Sequence, residues 1–428
     1  MNKEERNGYK RLGRNAVWII GGSVANKLIA LIVGAWTARY LGPENYGLID
    51  YAGAYTTLFF PLCTLGINSL IVKEIVEKPD EEGTTLGTTL FLQCAASLLS
   101  IVVIGAVVLF LNPGEKTTFV VAMLCNLGLF FQMMDSFKYW FQAKLESKYA
   151  AIATTTAYII SSLYKVVLLV NKKTVEWFAL ASSVDYFVVA VILCVTYKRL
   201  NGPLLRVSKE RARSLLTDSY HFILSGIMIS IYGATDRLML KNLLEESQVG
   251  YYGTAVSICN MWVFLLSAII DSYKPVIFDL HGEDRKAYLN KNIEMYSIVF
   301  YVSVFVSIGI MFFGEIGIRI LYGSDYLPAV VPLKICTWYV AFSYLGVARD
   351  AWIVCEGKQK HLIYIYAGAA LTNVILNYVF IPSLGAAGAA LVSLITQVST
   401  VFVFPLLIKD YRENVQLMVR AIMFKKYD

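Results

Sequence analysis

The chain has 428 residues, of which 57% are hydrophobic and only 16% charged. A water-soluble domain carries about 25% charged residues, so this composition excludes a soluble globular enzyme and indicates a polytopic membrane protein. The net charge of +7 matters less for its size than for where its cations lie, and no nucleic-acid partner is predicted.

The first 14 residues are polar and basic, and the apolar run behind them has no small-residue cleavage site. It is an uncleaved first span rather than a signal peptide. A span needs about 20 apolar residues, and twelve candidates follow in order. They cover residues 15–38, 46–72, 85–110, 117–137, 149–170, 174–197, 216–240, 249–275, 293–314, 328–350, 361–381 and 386–408. The first holds Lys27 near its midpoint, beside a small and polar stripe of Asn26, Ala30, Gly34 and Thr37. It breaks at Gly42-Pro43. A lone cation at the bilayer centre costs about 2.5–3.5 kcal/mol, so Lys27 faces either a buried carboxylate or a polar cavity. With the N-terminus inside, the inner segments hold 28 Lys and Arg and the outer segments seven. Both termini are therefore expected in the cytoplasm. The tail from Val415 to Lys426 is amphipathic and basic and is predicted to lie on the inner leaflet.

Residues 46–52 match 249–255 at an offset of 203, and the halves match again around Phe178 and Gly388. Six spans per half preserve orientation, so the repeats are parallel. The expected fold is an all-α integral membrane protein of twelve transmembrane helices in two six-helix parallel-repeat lobes. Residues 1–205 form the first lobe, 206–408 the second, and 409–428 a cytoplasmic tail. Such a seam suits an alternating-access transporter, although duplicated bundles also occur in channels.

Ionisable residues recur inside these spans. Asp185 and Lys27 sit at matching depth near the midplane and form the simplest ion pair for either. Asp50 and Asp271 are further candidates for charge pairing. Lys165 lies close enough to the outer interface to snorkel there, and Arg39 reads as an interfacial anchor. Arg349 and Asp350 stand at the inner end of span ten and Lys274 at that of span eight, followed by Pro275. Asp236, Asn373 and Asn377 share a depth four or five residues from the outer ends of their spans, and Ser393 enters at a comparable level. A carboxylate, two amides and a hydroxyl are hard oxygen ligands suited to Na⁺ or a titrating proton. The same groups also serve as interhelical hydrogen-bonding glue. The seven cysteines form no CxxC pair and His221, His281 and His361 have no ligand spacing, so no metal centre is expected. No catalytic residues, phosphate loop or other cofactor are predicted either.

Arg39-Tyr-Leu-Gly42-Pro43-Glu44-Asn45-Tyr46-Gly47, followed by Gly66-Ile-Asn68, resembles the amino-terminal signature of polysaccharide-export flippases of the O-antigen (Wzx) type. Asp236-Arg237, Val249-Gly250-Tyr251-Tyr252, and the run from Asn373 through Asn377-Tyr, Ile381-Pro382, Gly385 and Gly388-Ala389-Ala390 are similar to its second-half signature. The similarity covers nearly the whole chain.

The resemblance implies a multidrug and toxin extrusion-like fold around a cationic central cavity in a bacterial cytoplasmic membrane. The implied substrate is an undecaprenyl diphosphate-linked oligosaccharide, flipped from inner to outer leaflet for O-antigen or capsule assembly. Polymerase and chain-length proteins of the same pathway would be its partners, and the bilayer its solvent. Related lipid-diphosphate flippases hold Na⁺ on helices seven, eleven and twelve, where Asp236, Asn373, Asn377 and Ser393 stand. On this reading Lys27, Arg39, Lys165 and Arg237 compensate the diphosphate, with Lys274 and Arg349 at the cytoplasmic mouth. Bends at Gly21-Gly22, Pro61 and Pro275 would ease rocking of the lobes. The competing readings are a multidrug cation antiporter of the same fold, which favours an acidic cavity, and a membrane enzyme of glycan assembly, which needs larger outer loops than these.

Overall fold

A computed structural model describes residues 3–427, with side chains described for residues 29–68 and 70–427. Sixteen helices follow one another, with short 3-10 turns and one π-helical turn between some of them. The first half holds α1 (Lys3–Thr64), α2 (Asn68–Glu77), α3 (Glu82–Leu111), α4 (Lys116–Asn126), α5 (Gly128–Gln132), α6 (Ser136–Ala143), α7 (Lys148–Val170) and α8 (Val175–Arg199). The second holds α9 (Lys209–Leu243), α10 (Glu246–Asn260), α11 (Val263–Glu283), α12 (Arg285–Leu321), α13 (Val330–Cys355), α14 (Leu362–Val398), α15 (Phe404–Leu407) and α16 (Arg412–Ile422). No strand occurs among the described residues. In lipid every backbone polar group needs a partner within the protein, and helices supply it.

Eight described helical segments are long and apolar enough to cross a membrane, and nine when α10 and α11 count as one bent span. The segment from 359 to 407 is in fact two helices, and α1 is likewise two. Both hidden breaks are at glycine. Gly42 adopts φ 74° and ψ 169°, and Gly385 adopts φ 56° and ψ −136°, conformations closed to most side chains. Pro43 then restarts the helix with its fixed φ and no N–H to leave unpaired.

Two details differ from the sequence reading. Span eight bends by 42° at 260–263, where Met261 N–H donates to Ile258 and Leu265 N–H to Trp262 in tight three-residue turns. Pro275 lies inside α11, which continues through it. The tail helix α16 turns its apolar face onto the second half instead of presenting it to lipid. Val415, Leu417, Met418 and Ala421 are buried, Ser297 and Tyr301 of α12 donate to the carbonyls of Ala421 and Ile422 at 3.0 and 2.5 Å, and Arg285 reaches Glu413 at 2.7 Å.

The halves meet along α1, against which α9 and α10 both pack. At the end away from most of the Lys and Arg, the approach is close enough that only glycine fits. A Cβ on Gly47 would stand 1.9 Å from the Glu246 carbonyl oxygen, and one on Gly250 2.2 Å from that of Pro43. At the basic end, the connection between α8 and α9 lies across the start of α3. Arg206 N–H donates to Gly83 at 3.2 Å, and the Leu204 and Arg206 carbonyl oxygens fill the places that side chains on Gly83 and Gly87 would need.

Arg211 then ties α9 to the first half. Its guanidinium donates to Thr85 Oγ1 at 2.9–3.0 Å and to Glu74 of α2. Burial pushes the Glu74 carboxyl up, but Arg211 and Lys78 outweigh it and hold it below the usual carboxylate range. Arg211→Ala leaves Thr85 and Glu74 short of their donor, and we expect a loss of about 2 kcal/mol, read as a lower melting temperature in detergent. An unchanged melting temperature would show that this clasp contributes nothing.

Candidate functional site

The centre of the second half is organised by Asp236, a helical residue of α9 that is only 3% exposed. A carboxylate in such a place needs donors, and four reach it. Asn373 and Asn377 of α14 donate to Oδ1 at 3.0 and 2.6 Å. Tyr252 of α10 and Ser393 of α14 donate to Oδ2, both at 2.5 Å. Asn377 also donates to Asn373 Oδ1 at 3.0 Å, and the Tyr252 and Ser393 hydroxyls are 3.0 Å apart. Asn373 and Asn377 are one helical turn apart and so share a face. Ser393 joins them because the break at Gly385 sends the chain back toward the same level. The structure thus gathers all four residues that shared a depth in the sequence. It adds Tyr252, which depth did not single out because a phenol was not among the groups weighed.

Arg237, the next residue, points at the other half. Its Nε stands 3.6 Å from Asp50 Oδ2 of α1, and that carboxylate oxygen occupies the space a Cβ on Gly253 would need. Asp236 and Arg237 therefore join two systems, one inside the second half and one across the seam. Beside them is a cavity of about 170 Å³, walled by Tyr232, Tyr339, Asn260, Thr396 and Gln397 besides the charged pair. A second space of about 250 Å³ shares Asn260 and runs toward α1 past Ser257, Tyr46 and Tyr322.

Farther out, Lys241 at the end of α9 bridges Glu115 of the first half at 2.8 Å and Glu246 of the second at 2.7 Å. In the sequence it was only one of seven outer cations. Its hydrogen bond holds the Glu115 carboxyl below the usual range, against a small upward push from burial. A depressed folded-state pKa gives stability that is present above the unfolded value and lost as pH falls through the folded one. Acid melting should therefore steepen below about pH 4.3, and Glu115→Gln should flatten that limb in a pH series of melting temperatures.

The basic residues expected around an anion are dispersed. Lys27, and so its pairing with Asp185, lies outside the described residues. Of the other five, only Arg237 lines the central spaces. Arg39 is exposed on an outer groove with Trp36 and Tyr40. Lys165 is half-buried on α7 within Coulombic range of Asp185 on α8. Lys274 is held by Asp271 at 3.0 Å, one turn back on α11.

Arg349 departs furthest from expectation. It is 1% exposed, so no ligand reaches it in this conformation. One guanidinium N–H donates to the Thr400 carbonyl at 3.0 Å, in the π-helical turn Ser399–Val403, and the group lies over the Tyr411 ring. It makes no ion pair with Asp350, because adjacent helical residues do not face each other.

A family model described as polysaccharide biosynthesis protein matches residues 12–281, more than half of the chain and part of both lobes. The chain belongs to the polysaccharide biosynthesis protein family. Two relatives resemble it along most of their lengths. One is the capsular polysaccharide biosynthesis protein CapF of Staphylococcus aureus, 22% identical over 384 residues, 86% of this chain and 91% of that one. The other, from Escherichia coli (strain K12), carries the name of an O-antigen transporter and is 20% identical over 401 residues, 90% of this chain and 94% of its own.

The fold is similar to that of the lipid II flippase MurJ in an inward closed conformation. The TM-score is 0.74 at 14% identity, with 95% of this chain and 91% of that one covered. An inward-facing multidrug MATE transporter of the MOP superfamily aligns at 0.66 and 15% identity, over 93% and 94% of the two chains. The family resemblance and the multidrug and toxin extrusion-like fold expected from the sequence are both borne out. The chain is a multi-pass membrane protein of a polysaccharide transporter-like family.

Proposed function

We propose that this chain is a flippase that carries an undecaprenyl diphosphate-linked oligosaccharide from the cytoplasmic to the outer leaflet of a bacterial inner membrane, by alternating access and without covalent chemistry. The observation that carries this reading is the Asp236-Arg237 pair, set beside a central cavity and coupled across the seam to Asp50. Membership of a polysaccharide biosynthesis family and the flippase-like fold support a glycan cargo on a lipid over a drug cation. The distribution of Lys and Arg supports cytoplasmic termini. Coupling is assigned to Na⁺ or H⁺ at Asp236, Asn373, Asn377 and Ser393, with the carboxylate as the only formal charge of that set. Capsule or O-antigen polymerase and chain-length proteins would take the flipped product.

The test is flipping of the native lipid-linked oligosaccharide in membrane vesicles, scored as access of the glycan to an added glycosidase. Wild type is expected to flip and to respond to an imposed Na⁺ or proton gradient. Arg237→Ala, which leaves Asp50 unpaired at the seam, should lose at least tenfold in rate at equal protein level. Wild-type rates in that variant would remove Arg237 from the mechanism, and no flipping by wild type would end the reading.

A further inference from the structure

We propose that the cavity between α9, α10, α13 and α14 is a subsite for one neutral sugar ring of the cargo, and that the diphosphate sits elsewhere. This rests on the flippase reading above and adds to it which part of the substrate this site takes.

The charged groups on its wall lie close to one another, and Arg237 Nε is in ion-pair range of Asp50 without a hydrogen bond to it. Asp236 receives two donors on each carboxylate oxygen, and Arg237 faces Asp50. Together with Asp50 the three carry one net negative charge. A diphosphate brought against them would meet a buried carboxylate, and the one cation on this wall among the described residues, Arg237, already faces Asp50, in surroundings where charges are weakly screened. The pocket therefore disfavours the anionic part of the substrate.

Neutral polar groups line the rest of the wall. Thr396 is 1% exposed and its hydroxyl is buried without a partner, which leaves both a donor and an acceptor to be satisfied. Gln397 stands beside it with an amide that donates and accepts. Asn260 lies at the junction with the second cavity. Tyr232 and Tyr339 add aromatic side chains to the wall. Aromatic faces with a few hydrogen-bonding groups between them suit a ring that carries hydroxyls and C–H faces, and pockets of this kind gain selectivity because an absent hydroxyl leaves buried groups unpaired. The 170 Å³ available admits one ring, and the 250 Å³ beyond Asn260 has room for its neighbour.

Gly233 gives a decisive variant. It lines this cavity, and a Cβ built on it meets nothing within 4 Å, so Gly233→Leu places a larger side chain where the backbone has open space beside it. Two probes are used on purified protein in nanodiscs. One is the lipid-free oligosaccharide released by mild acid from the carrier of the chain's own host, and the other is undecaprenyl diphosphate without sugar.

Gly233→Leu is expected to abolish oligosaccharide binding, and Thr396→Val and Gln397→Ala to weaken it about tenfold each. All three should bind undecaprenyl diphosphate within about twofold of wild type. Wild-type oligosaccharide binding by Gly233→Leu, or an equal loss of both probes in every variant, overturns the sugar subsite alone. Wild type that binds neither undecaprenyl diphosphate nor the intact lipid-linked oligosaccharide overturns the flippase reading, and the subsite with it.

Discussion

Asp236→Ala is expected to lower the stability of the folded protein by about 3–5 kcal/mol and to abolish transport. The substitution removes the acceptor of four donors at once. Two donors retain an acceptor, since one of the Tyr252 and Ser393 hydroxyls, 3.0 Å apart, can donate to the other and Asn377 still donates to Asn373. The others are left buried and unpaired, at about 1–3 kcal/mol each.

Asp236→Asn separates stability from charge. It keeps the side-chain volume and one carbonyl oxygen, and its amide faces hydroxyls that can accept, so the cost should fall to about 1 kcal/mol. Melting in detergent measures the first effect. Vesicle flipping under imposed Na⁺ and proton gradients measures the second. Loss of gradient dependence with a retained fold is the expected outcome. Gradient-driven transport unchanged in Asp236→Asn would exclude this carboxylate from coupling.

Gly250→Val should be as severe for transport, through geometry rather than charge. The new Cβ would stand 2.2 Å from the Pro43 carbonyl oxygen and 3.0 Å from its carbon. Both are backbone atoms, so no side-chain rotation relieves the clash and α1 and α10 must part. Overpacking of this kind costs about 1–3 kcal/mol. Each 1.4 kcal/mol is tenfold in a conformational equilibrium, so closure of this end becomes a minor state.

In a cysteine-free background, Asn260→Cys should then react faster with an impermeant maleimide added from this end. Unchanged reactivity together with normal flipping would show that the contact does not open in the cycle. Gly253→Ala provides a contrast. Its Cβ would meet Asp50 Oδ2, part of a mobile side chain, so the clash is relieved by rotation. The expected effect is smaller and confined to the Asp50–Arg237 pair.

Depth in the bilayer was legible from the chain, and azimuth was not. Asp236, Asn373, Asn377 and Ser393 were grouped by counting residues from the ends of their spans, and they do meet. The breaks at Gly42 and Gly385 were visible because Gly-Pro and Pro-x2-Gly are strong punctuation in an apolar run. Arg349 shows the limit. Its place at the end of span ten suggested a mouth-facing cation, but rotation about the helix axis turns it inward to the Thr400 carbonyl. Lys241 and Arg211 were counted for their sign and side, while their carboxylates lie more than 100 residues away in the chain, except for Glu246. The amphipathic tail had an apolar face that fitted lipid and protein equally well, and α12 covers it.

By itself the sequence determined the helical membrane class, the breaks at Gly42 and Gly385, and the family. Lipid acts as a solvent on each residue separately, and that preference sums along twenty residues to a signal no packing can hide. Only the tertiary structure decided which charges meet, which end closes on glycine, and which groups around the central cavity remain free. Those outcomes depend on the rotation of each helix and on approaches of a few tenths of an ångström, and such contacts are set by neighbours far away in the chain.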